Sequence, residues 1–266
     1  IKLLDAAVRL QLQAHPTADF ARAHLGSPAG KADAYYILEV REEVGQGYVH
    51  LGFQRPPSRG DLKRWIEEQD IASLMSCFDK IAVKPGDTLF IPGGVPHAIG
   101  EGIFMVEIME PSDLVVRFEF ESAGYTLPES ARFMNRGVDF ALDLLDFDPL
   151  PESLVRSNYM LAPQLETTYG DMGRRYNLIC SKTTPCFRVK KSVIRGALQR
   201  EESTFFTGIV THGSCVLKTE EHQITLDKFS KFFCPAGLGV YTIEADEEVQ
   251  ILECFPPAAD ALAKCD

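Results

Sequence analysis

The stretch Gly86–Arg117, GDTLFIPGGVPHAIGEGIFMVEIMEPSDLVVR, decides the fold. It reads as strand, tight turn, strand, strand. Thr88–Ile91 is a short apolar run closed by Pro92, Gly93 and Gly94, and His97 follows the break. Ile103–Ile108 is a second apolar run, and Asp113–Arg117 leads into a third. From Gly86 through Pro92 and Gly94 to His97 the spacing is G-x5-P-x-G-x2-H. A proline and two glycines make a turn that aims the next strand inward, so a histidine placed there faces the interior of a β-barrel. Alone, the segment is equally consistent with a β-hairpin carrying a surface histidine; the rest of the chain decides between the two.

The 266 residues suffice for one large or two modest domains, and a hydrophobic fraction of 45% is ordinary for a globular protein. The net charge of −11 makes nucleic acid and anionic membrane surfaces poor partners. No apolar run approaches the length of a membrane span. The seven cysteines, Cys77, Cys180, Cys186, Cys215, Cys234, Cys254 and Cys265, are odd in number and form no C-x-x-C pair. Several sit in apolar, strand-like runs, which suggests reduced thiols in a cytosolic protein rather than a disulfide framework or a thiolate metal site. The chain begins at Ile1, and IKLLDA already reads as the inside of a strand. A preceding N-terminal segment, with any targeting information, is therefore expected.

The Gly86–His97 spacing resembles the second motif of the cupin barrels, where the histidine binds a metal; Glu101 stands where those proteins usually have Asn. The whole chain fits such an all-β plan. Ile1–Gln13 is strand-like, with Val8, Leu10 and Leu12 alternating with Arg9, Gln11 and Gln13. Thr17 can cap a short helix, ADFARAHL, behind Pro16. Ala34–Val40 and Tyr48–Phe53 read as the strands of a hairpin around Gly45 and Gly47. Asp61 and Asp70 are expected to cap two helices, the first packing Leu62, Trp65 and Ile66, the second Ile71, Leu74, Met75 and Phe78. Trp65 is assigned to packing. Val138, Leu142 and Leu145 suit another short helix in an otherwise polar connector.

From about Tyr176 the chain returns to short strands: NLICS, FRVKKSVI, FFTGIVTH, SCVLKT, HQITL, SKFFCP, GVYTI and VQILECF. Their spacing is that of a sandwich or barrel. Pro235 and Gly237 repeat the spacing of Pro92 and Gly94, but Val240 stands where His97 would be. The expected fold is thus two cupin (jelly-roll) barrels with a small helical layer, the second barrel degenerate and structural. Residues 1–122 form the metal-binding barrel with a helical insert at about 56–78, residues 123–165 a helical and loop connector, and residues 166–266 the second barrel. His212 and His222 fall in turns there and read as solvated.

Gln13 and His15, two apart on a strand, share a face and could reach one metal ion; they could equally be a polar strand end beside a turn. Asp33 opens the next strand and could be a surface acid. With His97 they make two imidazoles and two oxygen donors. That set suits a divalent cation such as zinc with water completing its shell, which is a catalytic rather than a structural arrangement.

These segments together resemble the type I mannose-6-phosphate isomerases, the zinc-dependent phosphomannose isomerases of the cupin superfamily. IKLLDA with Q-x-H-P at Gln13–Pro16 resembles that family's first zinc segment. Gly30–Tyr36, GKADAYY, resembles its G-K-T-E-x-W-Y segment. Pro96-His97-Ala98, Glu107 and Ser112–Arg117 resemble its third. The likeness extends to GDLKRWIEE and CPAGLGVYTI and so covers most of the chain. Asp33 departs from the family's usual Glu by one methylene, and Glu119-Phe120 stands where short bacterial members have Tyr-Asp.

The resemblance implies one zinc ion per chain on Gln13, His15, Asp33 and His97, Arg117 as the active-site arginine, and Glu107 and Lys31 lining the pocket. It implies a cytoplasmic enzyme of carbohydrate metabolism whose partner is a small sugar phosphate, interconverting mannose 6-phosphate and fructose 6-phosphate. The residues suit that chemistry. An aldose–ketose isomerase moves a proton between adjacent carbons through an enediol, with a metal to polarise the oxygens and a positioned base. Glu107, Lys31 and a metal-bound hydroxide are the candidate bases. Arg117 can bind a phosphate bidentately, or form a strand-end ion pair with Asp113 or Glu119. Two rival functions are a cupin oxygenase, disfavoured by Gln13 in place of a third histidine, and a sugar-binding cupin without turnover.

Overall fold

The structure, a computed structural model, describes residues 1–258, so the thiol expected at Cys265 lies outside the described residues. The chain divides into two units, Ile1–Leu161 and Ala162–Asp266. In the first, the deciding stretch supplies four strands, one more than the three read from its apolar runs, the addition being the short strand that carries His97. They are β6 (Thr88–Ile91), β7 (His97–Ile99), β8 (Ile103–Met109) and β9 (Val116–Arg117). The strands before them are β1 (Lys2–Ala6), β2 (Gln13–Ala14), β3 (Asp33–Val40), β4 (Gly47–Leu51) and β5 (Ile81–Val83). They form two open sheets, β1-β8-β3-β6 and β5-β4-β7-β2-β9, rather than a closed barrel.

The two sheets face one another across a single apolar core. Tyr35 and Ile37 of β3, Leu89 and Ile91 of β6 and Met105 of β8 meet Val49 and Leu51 of β4, Ile81 of β5 and Ile99 of β7. This is jelly-roll packing, in which alternate side chains of each strand fill the space between the layers. It also corrects two expectations. Ile1–Gln13 is not one strand: residues 7–12 carry the chain from β1 in one sheet to β2 in the other, and Val8 is exposed. Nor do β3 and β4 form a hairpin. Both edges of β3 are taken by β6 and β8, while β4 pairs with β5 and β7. The 3-10 turn Glu42–Val44 passes the chain between sheets.

The helices are α1 (Ala18–Leu25), α2 (Arg59–Glu68), α3 (Ile71–Ser76), α4 (Val138–Asp143) and α5 (Glu152–Asn158). Thr17 caps α1 by accepting from the Phe20 N–H, and Asp70 caps α3 by accepting from that of Ser73. Helix α2 begins earlier than expected. Ser58 is its cap, accepting from the Asp61 N–H at 3.1 Å and donating to the Asp61 carboxylate at 2.7 Å, so Asp61 completes a reciprocal pair inside the first turn. Leu62, Ile66, Leu74 and Phe78 then pack with Phe118, Phe120 and Leu142, and Trp65 packs against the same cluster. A short hairpin, β10 (Glu121–Ser122) and β11 (Tyr125–Thr126), follows β9.

The second unit is one eight-stranded sheet. Its members are β12 (Gln164–Thr168), β13 (Gly173–Ile179), β14 (Arg188–Glu201), β15 (Phe206–His212), β16 (Cys215–Lys218), β17 (Gln223–Leu226), β18 (Lys231–Cys234) and β19 (Val240–Phe255). GVYTI and VQILECF, expected as two strands, are one. The acidic turn-like residues between them are bridged by a register shift opposite Gly196 of β14. Strand β12 straddles the expected boundary between connector and second barrel and precedes the first strand read there; all five of its residues are exposed, so it carries no alternation to read. Ile194, Leu198, Phe206, Val210, Ile243 and Ile251 fill the core. Val240 is exposed at the start of β19, and His212 and His222 are exposed as expected.

A buried ionic cluster sits on the core face of this sheet. Glu253 lies between Ile251 and Phe255 along β19 and is fully buried. It accepts from Arg175 at 2.5 Å, Arg200 at 2.6 Å and Ser192 at 2.7 Å. Glu202 pairs with both guanidinium groups at 2.6 Å.

Candidate metal centre and substrate cavity

The residues singled out in three distant segments converge in the first unit. Strand β2 pairs with β7, placing Gln13 opposite His97, and with β9, placing Gln13 opposite Arg117. Asp33 opens β3 in the facing sheet. His15 follows β2 directly, and its backbone is held in a narrow slot. Its carbonyl accepts from the Gly94 N–H at 2.7 Å, and the next carbonyl, of Pro16, accepts from the Lys31 N–H at 3.0 Å. Both Gly30 and Gly93 press against that Pro16–Thr17 peptide; a Cβ on either would lie 2.6 Å from the Pro16 oxygen. The glycines of the G-K and P-G-G segments are there because backbone passes over backbone.

Ligand atoms of His15, Asp33 and His97 all lie within 4.8 Å of one another, and all three residues are buried. It is the one such His/Cys/Asp/Glu group among the described residues. The Gln13 amide adds a fourth donor, its nitrogen 3.3 Å from His97 Nε2; turned about its last bond, it offers oxygen to the same space. Each imidazole is oriented by backbone. Nδ1 of His15 is 2.8 Å from the Leu114 carbonyl and Nδ1 of His97 is 2.9 Å from that of Val95. Each carbonyl can only accept, so each Nδ1 carries a proton, and Nε2 is the inward-facing atom that a metal would take. Burial, with the nearby His15, lowers the pKa of His97 to about 3, so its ring is neutral at pH 7. Burial alone would raise Asp33, but its bond to His15 and the charges of His15 and Lys31 outweigh it and hold the carboxyl well below the usual range.

The Lys31 ammonium stands within this group, donating to the two Asp33 oxygens at 2.7 and 2.8 Å and meeting His15 Nε2 at 3.0 Å. The donor set therefore already cradles one positive charge. Two imidazoles, a carboxylate and an amide oxygen match the ligand chemistry of zinc, without thiolate, so the residues fit a catalytic divalent cation.

A cavity of about 520 Å³ opens beside the group, lined among others by Gln13, His15, Lys31, Glu107, Asp113 and Arg117. Glu107 is buried, with the Lys2 ammonium at 3.1 Å and that of Lys31 at 3.7 Å. Arg117 forms neither of the ion pairs weighed for it. Its guanidinium donates to the Ala131 carbonyl at 3.3 Å, and Glu119 is instead held by Arg9 at 2.6 and 2.7 Å. Burial lowers the Arg117 pKa from its ordinary value.

Two residues beside the site, one lining the cavity and one next to His97, escape the reading of the sequence. Lys2 lies opposite Glu107 in the β1–β8 ladder. Its period-two relation to Leu4, which also lines the cavity, is the signal that places it on that face. Tyr35 follows Asp33 by the same period, directly opposite Glu107.

No protein-family model matches the chain. In sequence it is similar to the mannose-6-phosphate isomerase ManA of Bacillus subtilis, 23% identical over 249 residues that make up 93% of this chain and 72% of that protein. In structure it is similar to the mannose 6-phosphate isomerase from Bacillus subtilis, with a TM-score of 0.73 and 21% identity over 94% of this chain and 73% of that one. A mannose 6-phosphate isomerase bound with zinc and yttrium shares the fold at a TM-score of 0.64 and 14% identity, over 96% of this chain and 78% of that one.

Proposed function

We infer that this chain, a homologue of mannose-6-phosphate isomerases and a structural neighbour of phosphomannose isomerases, interconverts mannose 6-phosphate and fructose 6-phosphate in the cavity of its first unit. One observation carries the reading. The same cavity is lined by two of the convergent metal donors, Gln13 and His15, by the buried carboxylate Glu107, and by Arg117, a guanidinium without a carboxylate partner among the described residues.

The cation assigned to Gln13, His15, Asp33 and His97 is zinc, and when bound it polarises the carbonyl and hydroxyl oxygens of the sugar. Arg117 takes the phosphate through paired, charge-assisted hydrogen bonds. Glu107 takes the proton from one of the two reacting carbons and returns it to the other, with an enediol between the two steps. The ammonium groups of Lys2 and Lys31 hold that carboxylate in place. Buried donors on rigid strands fix the sugar and exclude water from the proton's path. No helix among the described residues is long and apolar enough to cross a membrane, and the six described cysteines are free; a cytosolic setting is consistent with both.

The phosphate assignment is tested by Arg117→Ala. Loss of a charge-assisted contact costs about 1.5–3 kcal/mol, so kcat/KM for mannose 6-phosphate is expected to fall roughly 10- to 150-fold. Arg117→Lys recovers part of it. Isomerisation of unphosphorylated mannose, where measurable, is unchanged. An equal loss on both sugars removes Arg117 from the phosphate site.

A further inference from the structure

Tyr35 is 2% exposed, and its hydroxyl has no hydrogen-bond partner. Such a group is costly to bury, and natural interiors leave few of them. Its surroundings are specific. On β3 it shares a face with Asp33, two residues earlier, and in the ladder it stands opposite Glu107. Its ring meets that of His97 edge-on, with centroids 6.3 Å apart. A phenolic hydroxyl can donate as well as accept, and this one is available as a donor beside a carboxylate assigned to the metal centre.

We propose that Tyr35 is a positioning residue whose hydroxyl donates to the Asp33 carboxylate, fixing which oxygen of that short side chain faces the bound cation. The inference rests on the metal-centre reading above. Asp33 now spends both oxygens on the Lys31 ammonium. A cation drawn into the group competes for one of them, and the carboxylate needs a second anchor on its outer side. Tyr35 is the neutral donor on the same strand face. A ligating carboxylate held in this way binds metal more tightly than one free to rotate.

The test is Tyr35→Phe, titrated with Zn²⁺ against a chromophoric chelator and compared after Co²⁺ loading by visible absorption. Zinc affinity is expected to fall roughly 10- to 100-fold, with a changed cobalt spectrum. The melting temperature of the metal-free variant is expected to equal or exceed that of the parent, because the hydroxyl removed has no partner there. Parent-like zinc affinity with an unchanged cobalt spectrum overturns the role of Tyr35. His97→Ala, run alongside, keeps the two ideas apart. If His97→Ala loses zinc and Tyr35→Phe does not, only the Tyr35 proposal fails; if the parent protein binds no zinc, both fail.

Discussion

His97→Ala is expected to lose the bound metal and, with it, turnover of mannose 6-phosphate by about 1000-fold or more. A metal acting as a Lewis acid contributes several kcal/mol to transition-state stabilisation, and each 1.4 kcal/mol or so is tenfold in rate. His97 carries that effect because the fold leaves no substitute. Its Nδ1 is held by the Val95 carbonyl at 2.9 Å, its ring is buried, and its Nε2 faces His15 and Asp33. The Val95 contact descends from the turn Pro92-Gly93-Gly94, whose Gly94 also holds the His15 carbonyl. The turn therefore orients one ligand and fixes the backbone of another. Metal analysis of the purified variant, with thermal melting to show that it is folded, checks the prediction. A folded His97→Ala protein that retains stoichiometric zinc removes this residue from the ligand set.

The second large effect is on stability and lies in the other unit. Glu253→Ala leaves the buried Arg175 and Arg200 without their shared carboxylate, and breaking a buried pair on one side costs about 3–5 kcal/mol. The same group sets an acid limit. Burial pushes Glu253 upward, but the charges of Arg200 and Arg175 prevail and hold its pKa at about 2, against an ordinary 4.5. A depressed carboxyl contributes stability that is fully present above the unfolded value and is lost as pH falls toward the folded one. The contribution is about 3 kcal/mol, present above pH 4.5 and lost between there and pH 2. Urea melts from pH 7 down to pH 3 check this. The parent is expected to weaken steeply below pH 4.5, and Glu253→Gln to show a shallower slope over the same interval. Identical slopes for the two contradict the assignment of the acid limit to Glu253.

Much of this was legible in the amino-acid sequence, and the reasons are local. Pro92-Gly93-Gly94 ahead of His97 is a turn signal carried by three adjacent residues, and period two puts Gln13 and His15 on one face. The capping of α1 and α3 was likewise written in Thr17 and Asp70. What escaped depended on pairing between distant residues. The jelly-roll crossing from β3 to β4 looks locally like a hairpin, because nothing in Glu42–Gly47 says that β6 and β8 already occupy both edges of β3. Lys2 reaches Glu107 only through the register of β1 with β8. The ion pairs weighed for Arg117 failed because Glu119 is claimed by Arg9, a residue more than a hundred positions away. Strand β12 is exposed at every position, so no hydrophobic period marked it. Tyr35 reads in sequence as one more aromatic of a buried strand; only the missing partner of its hydroxyl sets it apart.

The most direct test of the account is the conversion of mannose 6-phosphate to fructose 6-phosphate by this protein, followed with its metal content before chelation, after chelation and after zinc is returned. The account predicts about one zinc per chain, with turnover lost on chelation and restored with the metal. Stoichiometric zinc without turnover on either sugar phosphate would contradict the isomerase reading, and turnover that survives complete removal of the metal would contradict the site.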